Sequence, residues 1–438
     1  MMTDSSAKDT PVTPARVSTA SMVGTIMEWY DFFLYGFTAA LVFGQLFFPS
    51  YSAVAGTLAS FGTLAVGFIA RPLGGVIFGH FGDRIGRKTM LITTLTLMGG
   101  ATFAIGLLPT YSSIGIWSPI LLTLCRFLQG IALGGEWGGA VLMAVEYSPP
   151  DRRGFYGSIV QMGATIGLSA ATAVLFAASY LLSKETFLAW GWRIPFLLSI
   201  VMLVSGLYIR MKVTETPAFR KVQAAGKIVK FPVVEVFQKH PGAVMYTAFI
   251  YLGAITVPFY TVWVFLTYYA TSVLKLDRSM ILLGVFLINV ALTLLIVGAG
   301  ALSDRIGRKK MFATGFLFLA AIAFPMFTIA NLGTVAWIWL SMLLMAAPLW
   351  VMWGVLPAYF TEIFPEQLRY TGISLGSQIA TIVGGLVPLF ATAVLPLYGT
   401  WPISVLIVAM EVLGIGGLIA LDRRQSRANG ATAGANAA

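Results

Sequence analysis

About twelve apolar runs, each near the roughly twenty residues that a helix needs to cross a bilayer, follow one another along this chain. Their cores fall at 22–46, 57–79, 89–108, 118–143, 155–181 and 193–211, then at 243–270, 280–302, 311–331, 335–357, 372–396 and 401–421. Few folds can use such a pattern. With no water at bilayer depth, a spanning segment must satisfy its own backbone hydrogen bonds, and a helix does so. Of the 438 residues 58% are hydrophobic and only 10% charged, a balance that a soluble domain does not carry. The expected fold is an all-α membrane protein with twelve transmembrane helices.

The runs pause once, at 212–242, where charge is densest, and this stretch reads as a cytoplasmic linker. The expected divisions are a cytoplasmic tail at 1–20, a six-helix bundle at 21–211, the linker, a second six-helix bundle at 243–421 and a cytoplasmic tail at 422–438. Both tails are polar or rich in Ala and Gly and are expected to lack fixed structure. The net charge of +11 sits in alternate loops: Arg84, Arg87 and Lys88; Arg152 and Arg153; Arg305 to Lys310; Arg369; Arg423 and Arg424. Positive charge marks the cytoplasmic side of a membrane protein, so both termini are expected there. That placement leaves no basic surface for nucleic acid. The first twenty residues hold no apolar h-region, so no cleaved signal peptide is expected. One cysteine, Cys125, and two histidines speak against a disulfide framework and against a metal site.

The chain also repeats itself. DRIGRK stands at Asp83–Lys88 and again at Asp304–Lys309, each time between the second and third run of its half. EYSPPDRRGFYGS from Glu146 is echoed by EIFPEQLRYTGIS from Glu362, which sets Glu146 opposite Glu362 and Arg153 opposite Arg369. Two pseudo-symmetric halves in one orientation indicate a repeat-built transporter with its site at the interface between the halves.

The motifs carry a resemblance. GHFGDRIGRK and its second-half copy are similar to the loop signature of the major facilitator superfamily, and RFLQGIALGGEWGGA (Arg126–Ala140) resembles that superfamily's fourth-helix arginine motif. MEWYDFFLYG, ARPLGGVIFGHFGDRIGRK, QGIALGGEWGGA, WGWRIPF and FPEQLRYTG together resemble the metabolite:H+ symporter family, which includes shikimate, α-ketoglutarate, citrate and proline/betaine carriers. The resemblance implies a secondary transporter of the bacterial inner membrane, monomeric and without a cofactor, that moves a small organic acid or zwitterionic metabolite together with H+ by alternating access. Nothing in the chain resembles a nucleotide-binding loop, so a proton gradient is the expected drive. No nucleophile–base pair or metal ligand set supports an enzyme. A non-concentrating sensor and an efflux antiporter are the alternatives. The first has no output domain, and the second lacks the usual fifth-helix proline, since Ala164 follows Gly163.

Ionisable residues inside a span are costly and usually functional. Read on a helix, Gly24, Glu28, Asp31, Tyr35 and Thr38 form one polar stripe, which is expected to face the cavity. Burial favours the neutral form of a carboxyl group, which suits proton loading and release. Asp31 is the first choice for proton coupling, with Glu28 or Glu136 sharing or relaying the proton, and Glu28 is expected to pair with Arg71. Substrate contact is expected from Arg71 and Arg126, whose guanidinium groups suit a carboxylate, and from Tyr35, Gln129 and Gln161. The second half has no comparable interior charge. Its candidates are Tyr251, Tyr260, Trp263, Tyr268, Asn289, Trp350, Trp353 and Gln378, while Glu411 has no assigned role. The expected cytoplasmic gate comprises Asp83, Arg84, Gly86, Arg87, Glu146 with Arg153, Asp304, Arg305, Arg308 and Glu362 with Arg369. Asp83 is expected to meet a neighbouring arginine or a helix N-terminus.

Overall fold

Glycine, proline and capping side chains punctuate the apolar runs, and the computed structural model breaks its helices at those points. It describes residues 13–49, 53–212, 214–384 and 386–437; of the tail expected over residues 1–20, residues 1–12 lie outside them and residues 14–20 already belong to the first helix. Among the described residues there is no strand. The first six spans are Pro14–Thr38, prolonged through a widened turn to Phe47, then Ala53–Ile85, Arg87–Leu107, Trp117–Glu146, Arg153–Leu181 and Arg193–Met211. The second six are Pro241–Val273, Arg278–Ile306, Arg308–Ile322 with Pro325–Ala330, Val335–Thr361, Arg369–Gly384 with Val387–Tyr398, and Trp401–Ala437. Nine helices among the described residues are continuous and apolar enough to cross a membrane. The other three spans are the first, which carries Glu28 and Asp31, and the interrupted ninth and eleventh.

Local chemistry explains the ends. Thr13 accepts from the Arg16 amide ahead of Pro14, and the Asp277 carboxylate accepts from the Met280 amide at 2.9 Å. Gly86 and Gly307 turn the chain inside the two DRIGRK copies with φ of +125° and +98°, a region that suits glycine alone. The linker forms two short helices, Pro217–Ala224 and Pro232–Lys239. The last tail differs from expectation. It continues the twelfth-span helix to Ala437, in keeping with the high helix propensity of its alanines.

Packing is two-fold in pattern. In the first half the first span lies on the fifth, the second on the fourth and the third on the sixth. The halves meet chiefly along two symmetric seams, second span on eleventh and fifth span on eighth. The seventh span departs from regular helix at Leu252–Thr256, Tyr260–Phe265 and Tyr269–Val273, three widened turns around Pro258. Proline lacks the amide that would close the regular ladder, and widened turns of this kind collect at functional sites.

Candidate functional site

A cavity of about 50 Å³ lies between the halves. It has room for a few waters but not for a metabolite, so the two halves are drawn close around it. The first half lines it with Glu28, Trp29, Phe32, Arg71 and Trp137. The second lines it with Tyr251, Ile255, Thr256, Phe259, Tyr260, Trp353, Gln378 and Thr381. Of the second-half candidates, Tyr251, Tyr260, Trp353 and Gln378 therefore reach the cavity. Trp263, Tyr268, Asn289 and Trp350 do not line it, and the Asn289 amide donates to the Val285 carbonyl of its own helix at 2.8 Å. Trp29, Phe32, Trp137, Thr256, Phe259 and Thr381 were not among the expected residues. Only Trp29, Phe32 and Trp137 stand next to a charged residue of a span, Glu28, Asp31 and Glu136 respectively.

Aromatic rings close the cavity across the interface. The Trp29 ring lies 5.6 Å from Phe259 and 6.0 Å from Trp353, and Phe68 lies 6.2 Å from Tyr260. Gln161 clasps the halves together. Its side-chain oxygen accepts from the Trp137 indole at 3.0 Å, its amide donates to the Trp353 carbonyl at 3.1 Å, and its own carbonyl accepts from the Trp353 indole at 3.2 Å. Gln161 thus fixes two walls of the cavity without lining it.

Arg71 enters the cavity because the second and fourth spans touch. A Cβ on Gly134 would stand 2.0 Å from the Arg71 carbonyl oxygen, so only glycine allows this approach. The Arg71 guanidinium lies over Phe32 and Phe68, 5.3 and 5.0 Å from their ring centres, and its Nε has no hydrogen-bond partner. Glu28 is buried beside it, and its Oε2 also lacks a partner. The two share the cavity without forming the ion pair expected from sequence; no contact within 4 Å joins them among the described residues. Both keep their polar atoms for something else.

The remaining first-half charges stand behind this wall. Asp31 accepts from the Thr102 hydroxyl at 2.6 Å, Thr102 accepts from the Gln129 amide at 2.7 Å, and Gln129 accepts from Arg126 at 3.2 Å. Arg126 is buried with its guanidinium 4.5 Å from the Tyr35 ring centre, and the Tyr35 hydroxyl meets that of Thr63 at 2.5 Å. The polar stripe of the first span is buried throughout, but only Glu28 of it reaches the cavity. Arg126, Gln129 and Thr102 thus form a hydrogen-bonded chain to Asp31, with the Tyr35 ring against Arg126, and none of them lines the cavity.

Glu136 finds a partner that was not among the expected site residues. It pairs with Arg210 near the end of the sixth span, accepts from the Thr94 hydroxyl, and is fully buried. Arg210 donates also to the Leu91 carbonyl at 2.5 Å. A buried ion pair survives only when its remaining polar atoms are also bonded. Arg210 is easily passed over in the sequence, where LYIRMK looks like the basic end of a span; the unpaired Glu136 was the sign that a cation was missing.

The face that carries the basic loops is closed by two related locks. The Asp83 carboxylate at the end of the second span accepts from the amide and hydroxyl of Thr371, both at 2.9 Å, and from the Tyr370 amide at 3.4 Å, at the start of the eleventh span. The Asp304 carboxylate at the end of the eighth span accepts from the Gly154 and Phe155 amides at 2.8 and 2.9 Å, at the start of the fifth. Each anion sits on free amides at the positive end of a helix. Each also pairs with the arginine four residues on, Arg87 at 3.4 Å and Arg308 at 2.9 Å. Glu146, expected with Arg153, meets Arg369 of the other half at 3.4 Å and Arg87 of its own at 3.6 Å, and Glu362, expected with Arg369, meets Arg308 within the second half. Arg84 and Arg305 are exposed, and Arg84 meets the His80 ring at 3.3 Å. Glu215 of the linker, not expected from sequence, accepts from the Arg87 and Lys88 amides, both at 3.1 Å, and so caps the third span.

Comparison with known proteins agrees with this architecture. Residues 21–388 match the Major Facilitator Superfamily. The chain is similar to the shikimate transporter of Escherichia coli, at 41% identity over 94% of this chain and 95% of that one. It is also similar to the proline/betaine transporter of Salmonella typhimurium, at 35% identity over 85% of this chain and 76% of that one. Among solved structures, the proton:xylose symporter XylE has the same fold, with a TM-score of 0.73 at 18% identity over 92% of this chain and 94% of that one. Twelve spans in two related halves, a cavity between them and a matched lock at the end of each seam thus go with sequence identity along nearly the whole chain: the protein belongs to the Major Facilitator Superfamily, as one of its metabolite transporters.

Proposed function

We propose that this transporter is a proton-coupled symporter of a small organic acid or zwitterionic metabolite, working by alternating access in a bacterial inner membrane with its basic face in the cytoplasm. The observation that carries the reading is the pair of opposite charges, Arg71 and Glu28, that share one wall of the central cavity with Arg71 Nε and Glu28 Oε2 left without hydrogen bonds. A planar guanidinium without a partner suits a carboxylate. A buried carboxylate without a partner is expensive, which makes Glu28 a place where a proton can be taken up. An anionic solute on Arg71 changes the field at Glu28, so the two binding events are coupled. The facing wall offers the neutral groups Thr256, Gln378 and Thr381 between aromatic rings, a setting for hydroxyl or carboxyl oxygens and a flat carbon skeleton.

In this reading Glu28 meets the cavity first, and Asp31 tunes it from behind through Thr102, Gln129 and Arg126. The two locks hold the cytoplasmic side shut, and rocking of the halves breaks both. Positive-inside charge placement supports the orientation, and a similar protein of Escherichia coli is named an inner membrane metabolite transport protein. The test is uptake by proteoliposomes of labelled shikimate, proline, glycine betaine and a dicarboxylate, with and without an inward proton gradient. Accumulation of one of them only under the gradient is expected. Binding without accumulation would favour a sensor, and export driven by the same gradient an antiporter.

A further inference from the structure

Resting on that symport reading, we propose that the proton and the solute leave by different routes. The solute passes between the halves; the proton runs inside the first half, from Glu28 to Glu136 and past Arg210 to the basic face.

The first span draws the route. Ser18, Ser21, Gly24 and Glu28 recur every three or four residues and are buried on one face of that helix. Gly24 is the position where the ion pair touches the helix. A Cβ there would stand 1.7 Å from Arg210 Nη2 and 2.5 Å from Glu136 Oε1, so the absence of a side chain is what lets the pair reach the stripe. Glu28 lies one turn further in, about 6 Å along the helix axis. The charges within electrostatic reach of Glu28 are Arg71, Glu136, Arg210 and its own neighbour Asp31. The groups that face Glu136 are Thr94 of the third span, Arg210 of the sixth and Tyr370 of the eleventh, whose hydroxyl donates to the Gly135 carbonyl at 2.8 Å.

Below the pair is a second cavity of about 10 Å³, lined by Ala20, Ser21, Lys88, Leu91, Met143 and Arg210. It has room for about one water, and Arg210 and Ser21 supply polar partners for it. Further down the stripe the Ser18 hydroxyl is buried without a partner, a bonding position left over for a second water. Ser18 and the residues that line this lower cavity all belong to the first half. The step balances within the chain. The O–H bond of protonated Glu28 breaks as its proton passes to a water between the two carboxyl groups. That water gives one of its own protons to Glu136, and the Glu136 carboxylate thereby lets go of Arg210. Glu136 then gives a proton to the water of the lower cavity, which passes one of its own on toward Ser18 and the basic face, and Glu136 pairs with Arg210 again. The return of the pair resets the relay, and Tyr370, which binds both the fourth span and Asp83, ties the reset to the lock.

The test uses the full chain in proteoliposomes with a trapped pH indicator and the solutes of the panel above, recording solute exchange and solute-driven proton influx together. Ser21→Leu, which fills the lower cavity, is expected to keep exchange within about twofold of wild type while proton influx per solute falls at least tenfold. Glu136→Gln combined with Arg210→Gln, which keeps a neutral hydrogen-bonded pair and spares the fold an unpaired charge, is expected to show the same loss of proton influx per solute. Wild-type proton influx per solute in both variants would overturn the separate route. Exchange without proton influx in the wild-type protein would instead remove the symport reading on which the route depends.

Discussion

The two halves share a fold and a lock but not an interior. The first half buries Glu28, Asp31, Arg126, Glu136 and Arg210, and every one except Glu28 is bonded to another side chain. The second half buries Glu411 in its last span, and neither of its oxygens has a hydrogen-bond partner. Its cavity wall, which Glu411 does not reach, is aromatic, hydroxyl and amide with one aliphatic residue, Ile255. The frame occurs twice, whereas the bonded network of buried charges within the spans lies in the first half. The locks show the same inequality. The side chains of Asp83 and Arg87 are 0% and 1% exposed beneath the linker, whereas those of Asp304 and Arg308 are 6% and 15% exposed.

The sharpest way to break the contrast is to remove a cavity group from each half. Arg71→Gln loses a charge-assisted contact of about 1.5–3 kcal/mol, or roughly tenfold to more than a hundredfold in apparent solute affinity. Gln378→Ala loses a neutral one of about 1 kcal/mol, or roughly fivefold. Half-saturation constants for uptake decide the order, and a larger effect at Gln378 would reverse the assignment of roles.

Next come the locks. Asp83→Asn weakens a fully buried anion on a helix N-terminus, an interaction of up to about 2 kcal/mol in such settings, while at the more exposed Asp304 the same change is expected to weigh less. The readout is alkylation of a cysteine placed at Ser374, behind the first lock, in a Cys125→Ser background. Faster labelling by a membrane-impermeant maleimide from the basic face is expected, more for D83N than for D304N; equal rates would make the locks equivalent.

The two DRIGRK turns differ in the same sense. Gly86→Ala meets both a φ of +125° and a Glu215 carboxylate oxygen 2.3 Å from the new Cβ, while Gly307→Ala meets a φ of +98° with open space around it. Both lower thermal stability, G86A by more than the roughly 1 kcal/mol expected at a left-handed position alone. The smallest effect is expected at Glu411. Glu411→Leu removes an unpartnered buried carboxyl group, so transport is unchanged and the melting temperature rises. Loss of proton coupling in that variant would place charge handling in both halves.

The span pattern was legible because twelve apolar runs and a duplicated loop leave little choice of fold. The contacts of Asp83 and Asp304 were legible, because their spacing to Arg87 and Arg308 is local. Pairings between spans were not. Glu136 with Arg210, Glu146 with Arg369, and the separation of Glu28 from Arg71 depend on how helices rotate and lean, which no single helix encodes. The cavity aromatics were missed for a related reason: in a chain with 31 phenylalanines and 11 tryptophans, an aromatic ring carries no mark of which surface it faces. Glycine gave the best long-range signal, since Gly24 and Gly134 stand where a neighbouring backbone or ion pair needs the space.

The claim that joins these observations is that Glu28 takes up the proton that moves with the solute. Simultaneous recording of solute and proton uptake in proteoliposomes, for wild type and Glu28→Gln, tests it most directly. The account predicts that solute entry acidifies the wild-type lumen, and that Glu28→Gln exchanges solute but neither acidifies the lumen nor accumulates solute against its gradient. Gradient-driven accumulation at the wild-type level in Glu28→Gln would contradict it.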